Sequence, residues 1–203
     1  MPLIALLLFL LLSVCPGVTS PVFALESKPL VQSSKTYGID YSKVQVEGVV
    51  PKLFLPTQLV YGDRLSGRAP YSAVGGITEI DGMQTGYDIS VVSYPGCRGS
   101  NSCSIANFSA EKLTSESKSI EDFYSFLREP EALKRYVKVS PDPIGWRTLS
   151  NGTRIYFVPW VLGASMGSAQ AVWDVGEYRY TISLKGGSEP WLLQMVESAF
   201  VSN

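Results

Sequence analysis

The chain of 203 residues has no histidine, only three cysteines and almost no net charge, with 17 Lys and Arg against 18 Asp and Glu. Each shortage excludes something. Without imidazole, a Ser-His-Asp hydrolase has no base and most zinc sites lose a usual ligand. A net charge of −1 offers no electrostatic footprint for nucleic acid or an anionic membrane surface, both of which need clustered Lys and Arg. Charged residues make up 17% and hydrophobic ones 45%, the balance of a folded domain rather than a disordered polymer. Walker, Rossmann-glycine and calcium-loop patterns are missing, as are charge runs and fixed-period repeats. No cofactor, no metal site and no catalytic residue are therefore expected.

What is present begins with an apolar run, Leu3 to Val14, shorter than the roughly 20 residues of a membrane-spanning helix and typical of a secretory leader. Val22 and Ala24 place small residues before a cut after Ala24, although no basic residue precedes the run. Residues 1–24 are read as a signal peptide and the protein as secreted or periplasmic, with no transmembrane anchor after processing. Cys15 ends a partial lipoprotein box, but Val14 is too large for its last position, so lipid anchoring is not expected. Cys97 and Cys103 remain as an even pair in an oxidising compartment, separated by a turn-rich stretch, and a local disulfide follows. Metal binding by this pair fails for want of further soft ligands.

Residues 25–40 read as a disordered arm and 41–203 as one domain. Pro51, Pro56 and Pro70 leave room only for short extended pieces such as Val44 to Val50 and Gln58 to Tyr61. Ala73 to Ile80, Asp81-Gly82 and Gly86 to Tyr94 predict a hairpin, and Ser104 to Ala110 a returning strand. Ile120, Phe123, Tyr124 and Leu127 follow a helical period behind Ser119, whose pairing with Asp122 is a loose capping box, so one amphipathic helix is expected over Ser119 to Arg128. The tail reads β-β-β-β-α. Trp146 to Leu149 and Thr153 to Trp160 flank Asn151-Gly152, a type I′ signal. Ala169 to Val175 and Tyr178 to Lys185 flank Gly176-Glu177, and Glu189 to Val201 closes as a helix. The expected fold class is α+β: an antiparallel sheet with two helices packed on it, one face buried and the other wet.

The pattern Gly96-Cys97-Arg98-Gly99-x-x-Ser102-Cys103, with Asn151-Gly152, Gly163-Ala164-Ser165, Trp173, Tyr178 to Ile182 and Leu192 to Ala199, resembles a group of uncharacterised exported bacterial proteins, notably cyanobacterial ones. The resemblance covers about Pro51 to Phe200. In those relatives a second Cys pair flanks the Gly-Ala-Ser segment, whereas Leu162 and Met166 stand there in this chain. The tail also resembles the sheet-and-helix modules of envelope-stress regulators and lipoprotein carriers. The resemblance implies a secreted α+β protein and brings no activity with it.

Two serine patterns bear on an enzyme alternative. Gly163-Ala164-Ser165-Met166-Gly167 matches the nucleophile elbow, but without histidine or a parallel βαβ frame Ser165 reads as part of a small-residue connection. Ser109 with Lys112, and Ser115 with Lys118, match S-x-x-K, in which lysine could replace histidine, yet the Ser-Asp-Asn and Lys-Thr-Gly partners are missing. Asp81 with Asp88, and Glu121 with Asp122, read as turn and surface carboxylates. Asn107 and Asn151 satisfy the N-glycosylation pattern, which matters only in a eukaryotic secretory pathway. All four Trp fall between Trp146 and Trp191, where core filling is the commoner use. Trp173, Tyr180 and Ile182 are assigned to the core, while Trp160, after Pro159 and before the Gly163 connection, is the candidate ligand contact. The leading reading is a non-enzymatic binding module for a small apolar ligand or a cell-envelope protein. The alternatives are a serine hydrolase and a structural envelope protein.

Overall fold

Period-two alternation builds the main sheet. Tyr87, Ile89 and Val91 of β4 (Met83–Val92) are buried on one side, as are Ala106, Phe108 and Ala110 of β5 (Ser104–Lys112). Trp173 with Ala169 and Ala171 of β10 (Ser168–Val175), and Tyr180, Ile182 and Leu184 of β11 (Tyr178–Lys185), join them in one core cluster. With β3 (Ser72–Ile80), β7 (Gly145–Thr148) and β8 (Arg154–Val158) these strands form a seven-stranded antiparallel sheet in the order β3-β4-β5-β11-β10-β8-β7. A separate two-stranded ribbon pairs β6 (Lys138–Val139) with β9 (Val161–Leu162), and the protein is an α+β fold. The computed structural model describes residues 34–42, 44–46, 48, 50–62, 72–100, 102–163 and 167–201. The expected leader and cut site, Cys15 and Ser165 lie outside the described residues.

A thirteen-residue helix, α3 (Glu189–Val201), brings Leu192, Met195, Val196 and Ala199 into the same core cluster, at spacings that share one helix face. Beside it β1 (Ser34–Gly38) pairs antiparallel with β2 (Gln58–Gly62), whose Leu59, Val60 and Tyr61 are buried in that cluster. Phe54 makes an aromatic hub there, with ring centroids 5.4 Å from Trp173, 4.8 Å from Tyr180 and 4.6 Å from Phe200. Gly62 is required by contact, since a Cβ would overlap the Trp191 ring of α3.

The structure departs from the sequence expectations at four places. Residues 34–38, expected in the disordered arm, form β1, because Tyr37 stacks on Tyr61 at 5.1 Å and the strand gains a paired ladder. Among the described residues of Val44 to Val50 there is no strand, and Gln45 makes an isolated parallel bridge to Gly76. The single helix expected over Ser119 to Arg128 is instead α1 (Ile120–Phe123) followed by a 3-10 turn at Ser125–Arg128, with α2 (Pro130–Leu133) after it. Ser119 caps as expected, accepting from Asp122 N at 3.1 Å, but the Ser125 hydroxyl takes the Asp122 carbonyl at 2.9 Å, and the tighter period keeps Tyr124 and Leu127 over the sheet. Asn151-Gly152 is not a two-residue I′ turn. Gly152 N donates to Leu149 O and only Gly152 has positive φ, so a type I turn is followed by a left-handed glycine. The turn with two left-handed residues, as type I′ requires, is Asp81-Gly82, with φ of 53° and 75°.

Candidate functional site

The second face of the main sheet is covered over half its width. Tyr156, Val158 and Val172 on that face are buried in a second cluster with Ile120 and Leu127, under the helical turns of residues 120–133. Across β4, β5 and β11 the face instead carries short polar side chains. Strand register sets Asp88 beside Ser109 beside Thr181 in one row, and Ser90 beside Asn107 beside Ser183 beside Gln170 in the next. Neighbouring strands lie about 4.8 Å apart, so the longer row spans about 14 Å.

Two walls flank this strip. On the β4 side, Cys97 and Cys103 are joined by a disulfide with Cα atoms 6.1 Å apart, and the sulfurs are buried against Val92 and Val74. Positive φ at Gly96 and Gly99 curls the loop so that Gly99 lies over Ser90, where a Cβ would come within 2.9 Å of the hydroxyl. A cleft of about 350 Å³ opens there, lined by Val74, Gly75, Asp88, Ser90, Arg98 and Gly99 together with Cys97. On the β10 side, Tyr124 donates its phenol to Gln170 Oε1 at 2.6 Å, and burial pushes its pKa up to about 12, so it stays a donor. The Phe123 ring rests edge-on against Tyr124 at 4.9 Å and remains 56% exposed. It lines a second cleft of about 290 Å³ with Glu111, Glu116, Ser117, Lys118 and Arg179.

Between the walls the strip sits in a trough. Ser90 and Ser183 are each only 6% exposed, and Asn107, Ser109, Thr181 and Gln170 are half-buried. Asn107 Nδ2 donates to Asp88 Oδ1 at 3.0 Å, and the Ser183 hydroxyl donates to Asn107 O at 3.3 Å. Apart from Asp88, charge lies at the margins and is partly paired there. Arg179 makes a two-pronged bond to Asp174 at 2.9 and 3.0 Å, which holds its guanidinium firmly protonated, and Lys112 reaches Glu177 at 3.7 Å. No family model matches the chain, and neither does any curated protein or solved structure.

The residues singled out by sequence take separate places. Trp160 is half-buried against the main core, with Lys138 Nζ 5.9 Å from its ring, and it lines neither cleft. Ser109 and Lys112 are three apart in one strand and so project to opposite faces, and Lys112 is engaged by Glu177. Ser115 and Lys118 lie on the exposed connector after β5. Asp81 occupies its turn, Glu121 accepts from Trp146 Nε1 and Asp122 serves as part of the α1 cap, whereas Asp88 alone of the paired carboxylates faces the strip. Asn151 Oδ1 accepts from Thr153 N at 2.9 Å within its turn, and Asn107 belongs to the strip. Sequence reasoning read Thr181 and Ser183 as a wet face and missed that the disulfide loop and the helical turns enclose it. Among the described residues no helix is long and apolar enough to cross a membrane.

Proposed function

We propose that the protein is an exported, non-enzymatic binding module of the bacterial cell envelope or its surroundings, and that its ligand surface is the walled strip of Asp88, Ser90, Asn107, Ser109, Thr181 and Ser183. The observation that supports this is the trough itself. An ordinary solvated sheet face carries long charged side chains, whereas here short hydroxyls and an amide lie half-buried between two standing walls. Short side chains leave room for a ligand to approach the sheet, and the clefts at either margin extend the surface. Each cleft mixes charged and hydroxyl groups with apolar ones, Val74 and Cys97 in the first and Phe123 in the second, while the strip between them carries hydroxyls and an amide, which supports a polar ligand. The leader and the disulfide support export, since such a bridge persists in oxidising compartments.

Native mass spectrometry of the full chain purified from its own source tests the reading. A retained mass is expected on the wild type and on Trp160→Ala. It should be absent from the double variant Ser109→Arg/Thr181→Arg, whose denaturation midpoint is expected to stay close to the wild type. Retention by the double variant, or loss on Trp160→Ala alone, would overturn the strip as the site. Covalent capture of Ser165 by a fluorophosphonate, lost in Ser165→Ala, would establish the hydrolase instead.

A further inference from the structure

We infer that the ligand class of the strip is a neutral oligosaccharide, an assignment that rests on the strip being the binding surface. Its two central rows hold hydroxyls on Ser90, Ser109, Thr181 and Ser183 and carboxamides on Asn107 and Gln170. A hydroxyl both donates and accepts, and a carboxamide carries both functions on separate atoms, so this lattice matches a molecule whose own groups are alternately donors and acceptors. Sugar hydroxyls have that property; a fatty acyl chain or a run of like charge does not.

Charge complementarity points the same way. The one carboxylate within the rows, Asp88, is already steadied by Asn107, and a carboxylate offers two oxygens to neighbouring hydroxyls. The two rows contain no Lys or Arg to draw a polyanion; Arg179 at the margin is paired with Asp174, and Arg98 and Lys118 stand in the clefts beyond the rows. A peptide bound by strand addition would need a free sheet edge, yet β4, β5, β11 and β10 are each paired on both sides. The strip can be read only through side chains. At its border the half-exposed Phe123 ring supplies an apolar plate, held in place by Tyr124 and its bond to Gln170, against which the carbon-bound hydrogens of a sugar ring can lie.

The test is an NMR titration of the full oxidised chain with cellotetraose, chitotetraose and maltotetraose, with tetragalacturonate and palmitate as acidic and apolar comparators. At least one neutral tetrasaccharide should shift the amide signals of Asn107, Ser109, Thr181 and Ser183. Ser109→Arg/Thr181→Arg should weaken that affinity by at least about tenfold, or 1.4 kcal/mol, and Phe123→Ala should weaken it while leaving the unfolding midpoint in place. Tighter binding of tetragalacturonate or palmitate, or no response to the three neutral chains, would overturn the ligand class. If the retained mass still depends on Ser109 and Thr181 in that case, the strip survives as the site. Shifts clustered around Trp160 instead would overturn both.

Discussion

At the scale of single residues, Trp173 and Gly75 carry opposite lessons. The Trp173 ring is fully buried, stacks on Tyr180 at 5.8 Å and meets Phe54 and Phe200, but its buried indole N–H has no partner among the described residues. It is held by area and shape alone. Trp173→Ala should cost about 3–5 kcal/mol of unfolding free energy, because the rings of Phe54, Tyr180 and Phe200 would border an emptied site. Urea denaturation measures this directly, and a loss below about 1 kcal/mol would contradict the packing described. Gly75 sits in β3 at φ +132°, and a Cβ there would overlap the Asp88 carbonyl of β4. Backbone cannot step aside as a side-chain tip can. Gly75→Ala should destabilise by about 2 kcal/mol or more, with amide-exchange loss concentrated in the β3–β4 hairpin rather than in α3.

At the scale of elements, the disulfide loop is a unit of its own. Ser93 N donates to Cys103 O, Cys97 N to Tyr94 O and Cys103 N to Ser100 O, and the bridge closes the turn over Ser90. Closing so short a loop restrains the unfolded chain by about 2 kcal/mol. Replacing both cysteines by serine should therefore lower stability by about that amount and raise exchange at Cys97, Gly99 and position 103, with β10, β11 and α3 unchanged. Alkylation of unreduced protein should label neither Cys97 nor Cys103. Because the loop forms one wall of the strip, the same double variant also separates wall from floor. Ligand affinity should fall although Ser109 and Thr181 are untouched.

Over the whole molecule, tyrosine burial sets the response to alkali. Burial is the largest cause raising the phenols of Tyr41, Tyr61, Tyr87, Tyr124 and Tyr180; a Tyr37 bond adds to it at Tyr61, and backbone hydrogen bonds oppose it at Tyr87 and Tyr180. An unfolded tyrosine ionises near pH 10, so below that both states hold the proton and the full stability is present. Above it the unfolded chain loses protons first. Stability should then fall by up to about 1.4 kcal/mol per pH unit for each such tyrosine, continuing for Tyr124 until its folded pKa near 12 is passed. Urea midpoints between pH 8 and 11 check this: a fall beginning near pH 10 is expected, and a flat profile to pH 11 would contradict the burial of these rings. With no histidine in the chain, that switch near neutrality is missing as well.

What the sequence determined by itself is local. Tyr178, Tyr180, Ile182 and Leu184 alternate with Arg179, Thr181, Ser183 and Lys185, and a period of two obliges such a segment to bury one side wherever it pairs. Gly176 and Gly82 mark their turns, and Cys97 with Cys103 is near enough along the chain for turn chemistry to bring the thiols together. Tertiary structure decided what alternation leaves open. β11 lies between β10, its hairpin partner, and β5, more than sixty positions earlier, and no local signal names so distant a partner. The helical period at Ile120 and Leu127 announced a buried stripe, but packing over β8 and β10 broke the helix into turns that cover only half of the second face. Thr181 and Ser183 look identical in sequence whether they meet bulk water or a walled trough. The difference comes from the disulfide loop and the helical turns meeting the sheet from opposite sides, a long-range consequence of chain topology that the alternation of β11 does not encode.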